Sequence, residues 1–341
     1  MIKKSILILL IVILSSGLAV ANDPETTLIP IPLIFSSPET GLAGGGMGMY
    51  FKDTELKNIQ SRFGAFYTAE GQANLFLQAE QEVDEYKYSG QFSYQDWVNK
   101  FYGLNNEVVF NDGLEYDSQG FSVEGGISKR LAPNSFLGLV ANYESYDLNL
   151  ERKLKQNIRG IAGVDLWGLG LKYTYDTRDR MMDTRSGQYL EYQSIIHSED
   201  FSESDFIAHE LDYRFFKQLA PKHVLGWQSK LIITNGALPL QKMNSLGNMR
   251  ILRGYESDKF LAANKVATQL EYRYPIYKKW SGTLFAGIGE VYQEFEVDDL
   301  EESWGLGLRY NLDKKRGVNL RMDFAFNSQQ SNFYFNVGEA F

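Results

Sequence analysis

The chain has 341 residues, no cysteine and a formal net charge of −9. Without cysteine there is no disulfide framework, no thiol catalysis and no lipid-modified cysteine anchor. The acidic balance argues against a nucleic-acid partner, and 21 Tyr with 22 Phe suit a membrane barrel with aromatic girdles.

Residues 1–21 read as a secretory signal peptide. Lys3 and Lys4 form its positive end, and Ile6 to Leu14 is mostly apolar and too short to span a bilayer comfortably. Ala19-Val20-Ala21 is an Ala-x-Ala cleavage site ahead of Asn22. Loss of the two lysines takes the charge of the mature chain from −9 to −11. No later run approaches the ~18 consecutive apolar residues of a helical span. Residues 22–40 contain Pro24, Pro30, Pro32 and Pro38 and are expected to be an extended periplasmic lead-in, with no room for a folded domain.

Residues 41–341 form a series of alternating segments of about ten residues, the pattern of transmembrane strands. The expected fold is all-β, a transmembrane antiparallel β-barrel of 16 strands, with 14 as the alternative. Its first strand starts near Gly41 and pairs with the last, because closure removes sheet edges. The early strands are placed at Leu42–Lys52, Arg62–Glu70, Ala73–Glu82 and Tyr86–Trp97. One more, needed for an even count, falls within Phe101–Asn111.

Alternation is clearest toward the C-terminus. Ile207, Leu211, Tyr213 and Phe215 oppose Glu210, Asp212 and Arg214; Leu270, Tyr272 and Tyr274 oppose Gln269, Glu271 and Arg273. Trp304, Leu306, Leu308 and Tyr310 oppose Gly305, Gly307 and Arg309; Leu320, Met322, Phe324 and Phe326 oppose Arg321 and Asp323. A period of 2 sends each set to one face. An Arg or Lys on the lipid face near the midplane costs about 2–4 kcal/mol, so the charged rows should line the interior. Breaks such as Leu131–Ser135, Leu219–Lys222 and Asn311–Gly317 are short and suit periplasmic turns. Those around Glu151–Gly160, Ser198–Ser204, Leu238–Lys259 and Gln293–Glu302 are longer and suit outer loops.

The loop between Thr234 and Ala262 is too long for a tight hairpin, where about 2–5 residues are usual. It carries Leu246-Gly247-Asn248, three residues, then Leu252-Arg253-Gly254-Tyr255. The following strand carries Leu270-Glu271-Tyr272-Arg273-Tyr274-Pro275. This combination resembles the signature lid loop of the BamA/TamA-type outer-membrane barrels, the bacterial surface antigen family, with Asn248 in place of the family's second glycine. The resemblance implies that the loop folds into the barrel and that Arg253, flanked by Gly254 and Tyr255, is held by Glu271. The family adds an aspartate in a Phe-x-Asp-x-Gly pattern. Here Phe285-Ala286-Gly287-Ile288-Gly289 carries Gly287 instead, leaving Asp323 as a possible extra anchor.

Two further stretches resemble the family. Asp176, Arg178 and Asp179, followed by Gly187, match its periplasmic turn motif. Thr184 stands where proline is expected, which implies a looser turn. Phe333, Phe335, Val337 and Phe341, expected on one face of the last strand, look like the terminal strand signal gripped by the assembly machinery. The resemblance covers Asp176 to Phe341 with recognisable motifs. It implies a member lacking the periplasmic docking domains of its relatives, in the bacterial outer membrane. The implied role is outer-membrane protein assembly, insertion or translocation through a weak seam between first and last strands. Gly41, Gly44, Gly45, Gly46 and Gly48 would keep that first strand loose. Implied partners are outer-membrane lipid, unfolded outer-membrane proteins and a separate periplasmic protein. A passive pore or small-solute transporter is the alternative.

No enzyme, cofactor or metal is expected. Gly44-Gly45-Gly46-Met47-Gly48 lacks the Lys-Ser/Thr of a phosphate loop. His197, His209 and His223 lack metal-ligand spacing. A hydrolase built on His197, Ser198 and Asp200 is disfavoured, because sequence neighbours rarely form a triad geometry. The acidic run from Glu294 to Glu302 reads as a solvated loop rather than a Ca²⁺ site.

Overall fold

The computed structural model describes residues 26–37, 41–53, 57–104, 109–149, 158–255, 259–293, 300–314 and 317–341. It comprises β1 (Thr26–Ser37), β2 (Gly41–Asp53), β3 (Lys57–Thr68), β4 (Ala73–Val83), β5 (Tyr86–Phe101), β6 (Leu114–Ala132), β7 (Ser135–Asn149), β8 (Gly163–Asp176) and β9 (Gly187–His197). After these come β10 (Phe206–Ala220), β11 (His223–Gly236), β12 (Asn244–Ser245), β13 (Leu261–Ala262), β14 (Asn264–Tyr277), β15 (Trp280–Tyr292), β16 (Glu301–Asp313), β17 (Val318–Phe326) and β18 (Ser331–Val337). All but β12 and β13 belong to one 16-stranded sheet, hydrogen-bonded in sequence order, with β11 followed directly by β14. Sixteen, not 14, is the count. No helix among the described residues is long and apolar enough to cross a membrane.

The chain divides into two compact units. One runs to Asn99 and takes in Glu115–Lys172 and Ile195–Asp205; the other holds Lys100–Leu114, Tyr173–Ser194 and Phe206–Phe341. In the second unit the strands are inverted relative to a soluble protein. Leu270, Leu306 and Phe324 are about half exposed, whereas Glu271, Arg309 and Asp323 on the opposite face are at most 1% exposed. Charged side chains are almost never fully buried unless paired, so this face must satisfy itself internally while the apolar face meets lipid.

The first strand does not begin near Gly41. The stretch expected to be a periplasmic lead-in forms β1, whose ladder to β2 runs unbroken from Thr26–Lys52 to Ser37–Gly41. Pro30 and Pro32 are two residues apart, so their missing N–H groups face the same edge. An unbroken ladder requires that edge to be the one turned away from β2, where proline is tolerated. The glycines at 44, 45, 46 and 48 therefore lie in the second strand. They oppose Ile34, Leu33, Pro32 and Pro30.

Among the described residues between Phe101, which ends β5, and Asn111, no separate strand forms where one was expected. Tyr102 and Gly103 have left β5, and the Tyr102 carbonyl accepts hydrogen bonds from the amides of Val109 (2.7 Å) and Phe110 (2.9 Å). Gly113, at φ +71°, completes the connection to β6. Residues 105–108 lie outside the described set. The even count thus comes from β1.

Candidate functional site

The connection from β11 to β14 folds on itself before it meets the wall. Residues β12 and β13 pair as a two-rung ribbon, Asn244 with Ala262 and Ser245 with Leu261. Leu246, Ile251, Leu252, Tyr255 and Phe260 bury themselves together with Ala262, Ala267 and Val291, so apolar burial docks the loop on β14 and β15. Asn248, standing at the family's glycine position, makes the turn by a side-chain route. Its Oδ1 accepts from the amides of Arg250 (2.8 Å) and Ile251 (3.1 Å). Gly254 adopts φ +119°, a region open to glycine at little cost.

This geometry delivers Arg253 into the wall with no solvent exposure. Its Nη2 donates to Glu271 at 2.8 Å and its Nη1 to Asp323 at 2.7 Å. The guanidinium lies 3.4 Å above the centre of the Phe285 ring. Glycines clear the space: a Cβ at Gly305 would strike Phe285, and one at Gly307 would strike Asp323 and Arg309. The backbone on either side is also held. Ser303 Oγ donates to the Arg253 carbonyl. The Gly254 carbonyl accepts from Asn327, Gln330 and Asn332, and its amide donates to Tyr334 Oη at 2.9 Å. Tyr255 Oη donates to Glu301 at 2.7 Å. So Arg253, Gly254, Tyr255, Glu271 and Asp323 come together, and the lid touches β18 directly.

The carboxylates serve several arginines. Arg273 Nε donates to Glu271 at 2.8 Å, Arg309 Nη1 to Asp323 at 2.5 Å, and Arg321 Nε lies 3.6 Å from Asp323. Arg321 also donates to the Met249 carbonyl of the lid at 2.8 Å. Buried carboxylates are stable only when paired and hydrogen-bonded, and removing one partner of a buried pair costs about 3–5 kcal/mol. Arg273, Arg309 and Arg321 had been legible as members of interior rows, though not as lid ligands.

The C-terminal residues complete this cluster; Phe341 belongs to the terminal motif read from the sequence, whereas Glu339 was missed. The chain leaves β18 at Gly338, φ +87°, and turns toward the arginines. Glu339 accepts from Arg309 Nε and Asn319 Nδ2, each at 2.7 Å. Arg273 Nη2 donates to the Phe341 carbonyl at 3.1 Å. Phe341 is buried against Phe216, Val224 and Ala340. Phe333, Phe335 and Val337 lie in β18, with Phe333 exposed. Phe341 therefore does not share their face; the left-handed Gly338 breaks the alternation that the sequence pattern had carried through it.

The turn between β8 and β9 is a closed hydrogen-bonded unit. Arg178 donates to both oxygens of Asp176, at 2.9 and 2.7 Å, and lies 4.3 Å over the Tyr189 ring. Asp179 Oδ1 accepts from the amides of Arg185 and Ser186. Gly187 has φ +108°, and a Cβ there would strike the Thr177 carbonyl. The turn is not loosened at Thr184: its hydroxyl donates to the Arg180 carbonyl at 2.7 Å, and its own carbonyl accepts from Arg273 at 3.1 Å. Asp183 is buried here beside Glu339, and burial first, then that neighbouring charge, pushes its carboxyl above the ordinary aspartate value.

Elsewhere, Ser198 and Asp200 form a local turn through the Asp200 amide. His209 meets Tyr192, and His223 meets Tyr272 at 2.6 Å. Residues 294–299 of the acidic run lie outside the described set. Among the described residues no group of three or more His, Asp or Glu side chains could hold a metal ion.

A model of the Omp85 superfamily domain matches residues 54–341. The chain belongs to the Omp85 superfamily. Among solved structures, BamA from Haemophilus ducreyi lacking POTRA domains 1–3 aligns with a TM-score of 0.64 at 15% identity, covering 92% of this chain and 70% of that one. CdiB from Acinetobacter baumannii aligns at 0.61 and 9% identity, and CdiB from Escherichia coli at 0.59 and 13%. These cover 92% and 94% of this chain, which in turn spans 59% and 63% of the two CdiB chains. At such identities the likeness carries the fold, a 16-stranded Omp85 β-barrel of BamA type. No relative is found among curated protein sequences.

Proposed function

We propose that this Omp85 protein works in the bacterial outer membrane, in the assembly, insertion or translocation of outer-membrane proteins. Unfolded outer-membrane proteins are its clients, a separate periplasmic protein delivers them, and no catalytic chemistry is involved. The working element is a weak seam between the first and last strands, with the lid loop bracing the last strand from inside. The observation that carries this reading is the shared grip on the lid. Arg253 is fixed by Glu271 and Asp323, while Gly254 is fixed by Tyr334 and Asn332 of β18. β1 adds support, since Pro30 and Pro32 leave two donor positions empty on one edge. A strand short of two ladder bonds separates from a neighbour more readily than a complete one.

Depletion in cells tests the proposal. Loss of many unrelated outer-membrane proteins is the expected outcome; loss of one nutrient's uptake alone would overturn it. Single-channel recording supplies a second reading. A braced lid gives small, intermittent currents, whereas large, steady openings of the intact protein would favour a pore.

A further inference from the structure

Three neighbouring hairpin turns carry a concentration of lysine that the lid site does not use. Lys217 and Lys222 lie at the β10–β11 turn, Lys278 and Lys279 at the β14–β15 turn, and Lys314 at the β16–β17 turn; all are exposed. Among the described residues of these turns the one carboxylate is Asp313. Adjacent strands lie about 4.8 Å apart, so the turns form one continuous rim in the sheet order β10, β11, β14, β15, β16, β17. The opposite ends of β15 and β16 carry Glu290, Glu301 and Glu302 instead.

Aromatic side chains stand beside the lysines. Trp280 packs on Tyr310 with ring centres 4.9 Å apart, and Tyr272 stacks on Tyr274 at 5.8 Å. Lys278 Nζ lies 4.9 Å from the centre of the Tyr277 ring, and Lys279 Nζ 5.7 Å from that of Tyr310. Ile276, Tyr277, Leu219 and Leu312 are exposed at the same level. Lys217 continues the apolar row of Tyr213 and Phe215 and pairs with Leu225. A cation on a lipid-facing row is tolerable only where its stem lies along apolar surface and its head reaches the interface. Aromatic rings mark that interface.

We propose that this rim binds the phosphate headgroups of anionic phospholipids in the leaflet facing the short turns, and so fixes the depth of this part of the barrel. The inference rests on the membrane reading above but concerns a different surface and ligand. Each lysine near an anionic surface is worth about fivefold in association, on the scale set for juxtamembrane lysines.

The test uses the full chain folded into phosphatidylcholine vesicles with a trace of spin-labelled lipid. The relative association constant of labelled phosphatidylglycerol over labelled phosphatidylcholine is measured by electron spin resonance. The expected result is a clear preference for phosphatidylglycerol, about fivefold or more at the rim, lost in high salt. It should also be lost in the Lys217→Gln/Lys222→Gln/Lys278→Gln/Lys279→Gln variant. Suppression of the preference by inorganic phosphate at equal ionic strength would assign the site to free phosphate and overturn the proposal. A protein that inserts with no preference, or a variant that keeps it, also overturns the rim while leaving the barrel intact. Failure to insert into any bilayer would sink the membrane reading and the rim with it.

Discussion

Arg253 and Asp323 lie 70 residues apart in the chain, and their side chains meet at 2.7 Å with neither reached by solvent. The pair joins a lid to a wall, and its neighbours set how each substitution should behave. Arg253→Ala leaves Asp323 with Arg309 and leaves Glu271 with Arg273. Asp323→Asn instead strips a counter-ion from Arg253, Arg309 and Arg321 together. We therefore expect Asp323→Asn to destabilise the folded barrel by about 3–5 kcal/mol, and Arg253→Ala by less. Both should free the lid to protease. Urea unfolding in micelles and heat-modifiability on gels give the ranking; a larger loss in Arg253→Ala would contradict it.

The hold on β18 can be loosened without disturbing the charges. Tyr334→Phe removes the acceptor for the Gly254 amide, and Asn332→Ala removes a donor to its carbonyl. Each should cost about 0.5–1.5 kcal/mol. Hydrogen exchange at the Gly254 amide should accelerate about two- to tenfold in Tyr334→Phe, given that energy scale. Unchanged protection would mean that the lid is fixed by Arg253 alone.

Glu339 is the tail's attachment to the arginines. Glu339→Gln keeps the shape but removes the charge facing Arg309, 2.7 Å away, and Arg273, 3.8 Å away. Loss of about 1–3 kcal/mol is expected, the scale for hydrogen bonds to charged groups. Hydrogen exchange at the Ala340 and Phe341 amides should then be faster than in the parent protein. Equal rates would show that the Phe216–Phe341 packing holds the tail by itself.

Asp183 gives a pH dependence of known sign. Its folded-state carboxyl is held above the ordinary value of 3.8, chiefly by burial and secondarily by Glu339. The folded chain therefore binds its proton more tightly than the unfolded chain does. The stability from this group is present below the unfolded value and is lost as pH rises through the folded one. Unfolding midpoints of the parent protein should fall across that window relative to those of Asp183→Asn. Parallel pH profiles would show that Asp183 is not the source.

The rows facing lipid and interior were legible because period 2 is enforced by a steep penalty for charge in hydrocarbon. β10, β14, β16 and β17 carry that pattern strongly. β1 was hidden because Leu28, Ile29, Pro30, Ile31, Pro32 and Leu33 are apolar on both faces, and its prolines suggest a linker until the strand is known to lie at an edge. The Phe101–Asn111 error has the same origin: an apolar stretch supplied an even count, and nothing local contradicted it. Within the site, Arg253 and Glu271 came from a motif. The grouping of Arg309, Asp323 and Glu339 depends on register across β16 and β17 and on the bend at Gly338. A one-dimensional pattern does not contain either. Charged positions in the interior rows of adjacent strands were the available signal for the first two; Glu339 had none.

The paired prolines of β1 have a kinetic corollary. A visiting polypeptide zippering alongside that margin would find two rungs already gone, so its grip could extend only in broken lengths. Shorter runs of rungs dissolve sooner, and a surface that lets its guests go quickly is one that can be reused.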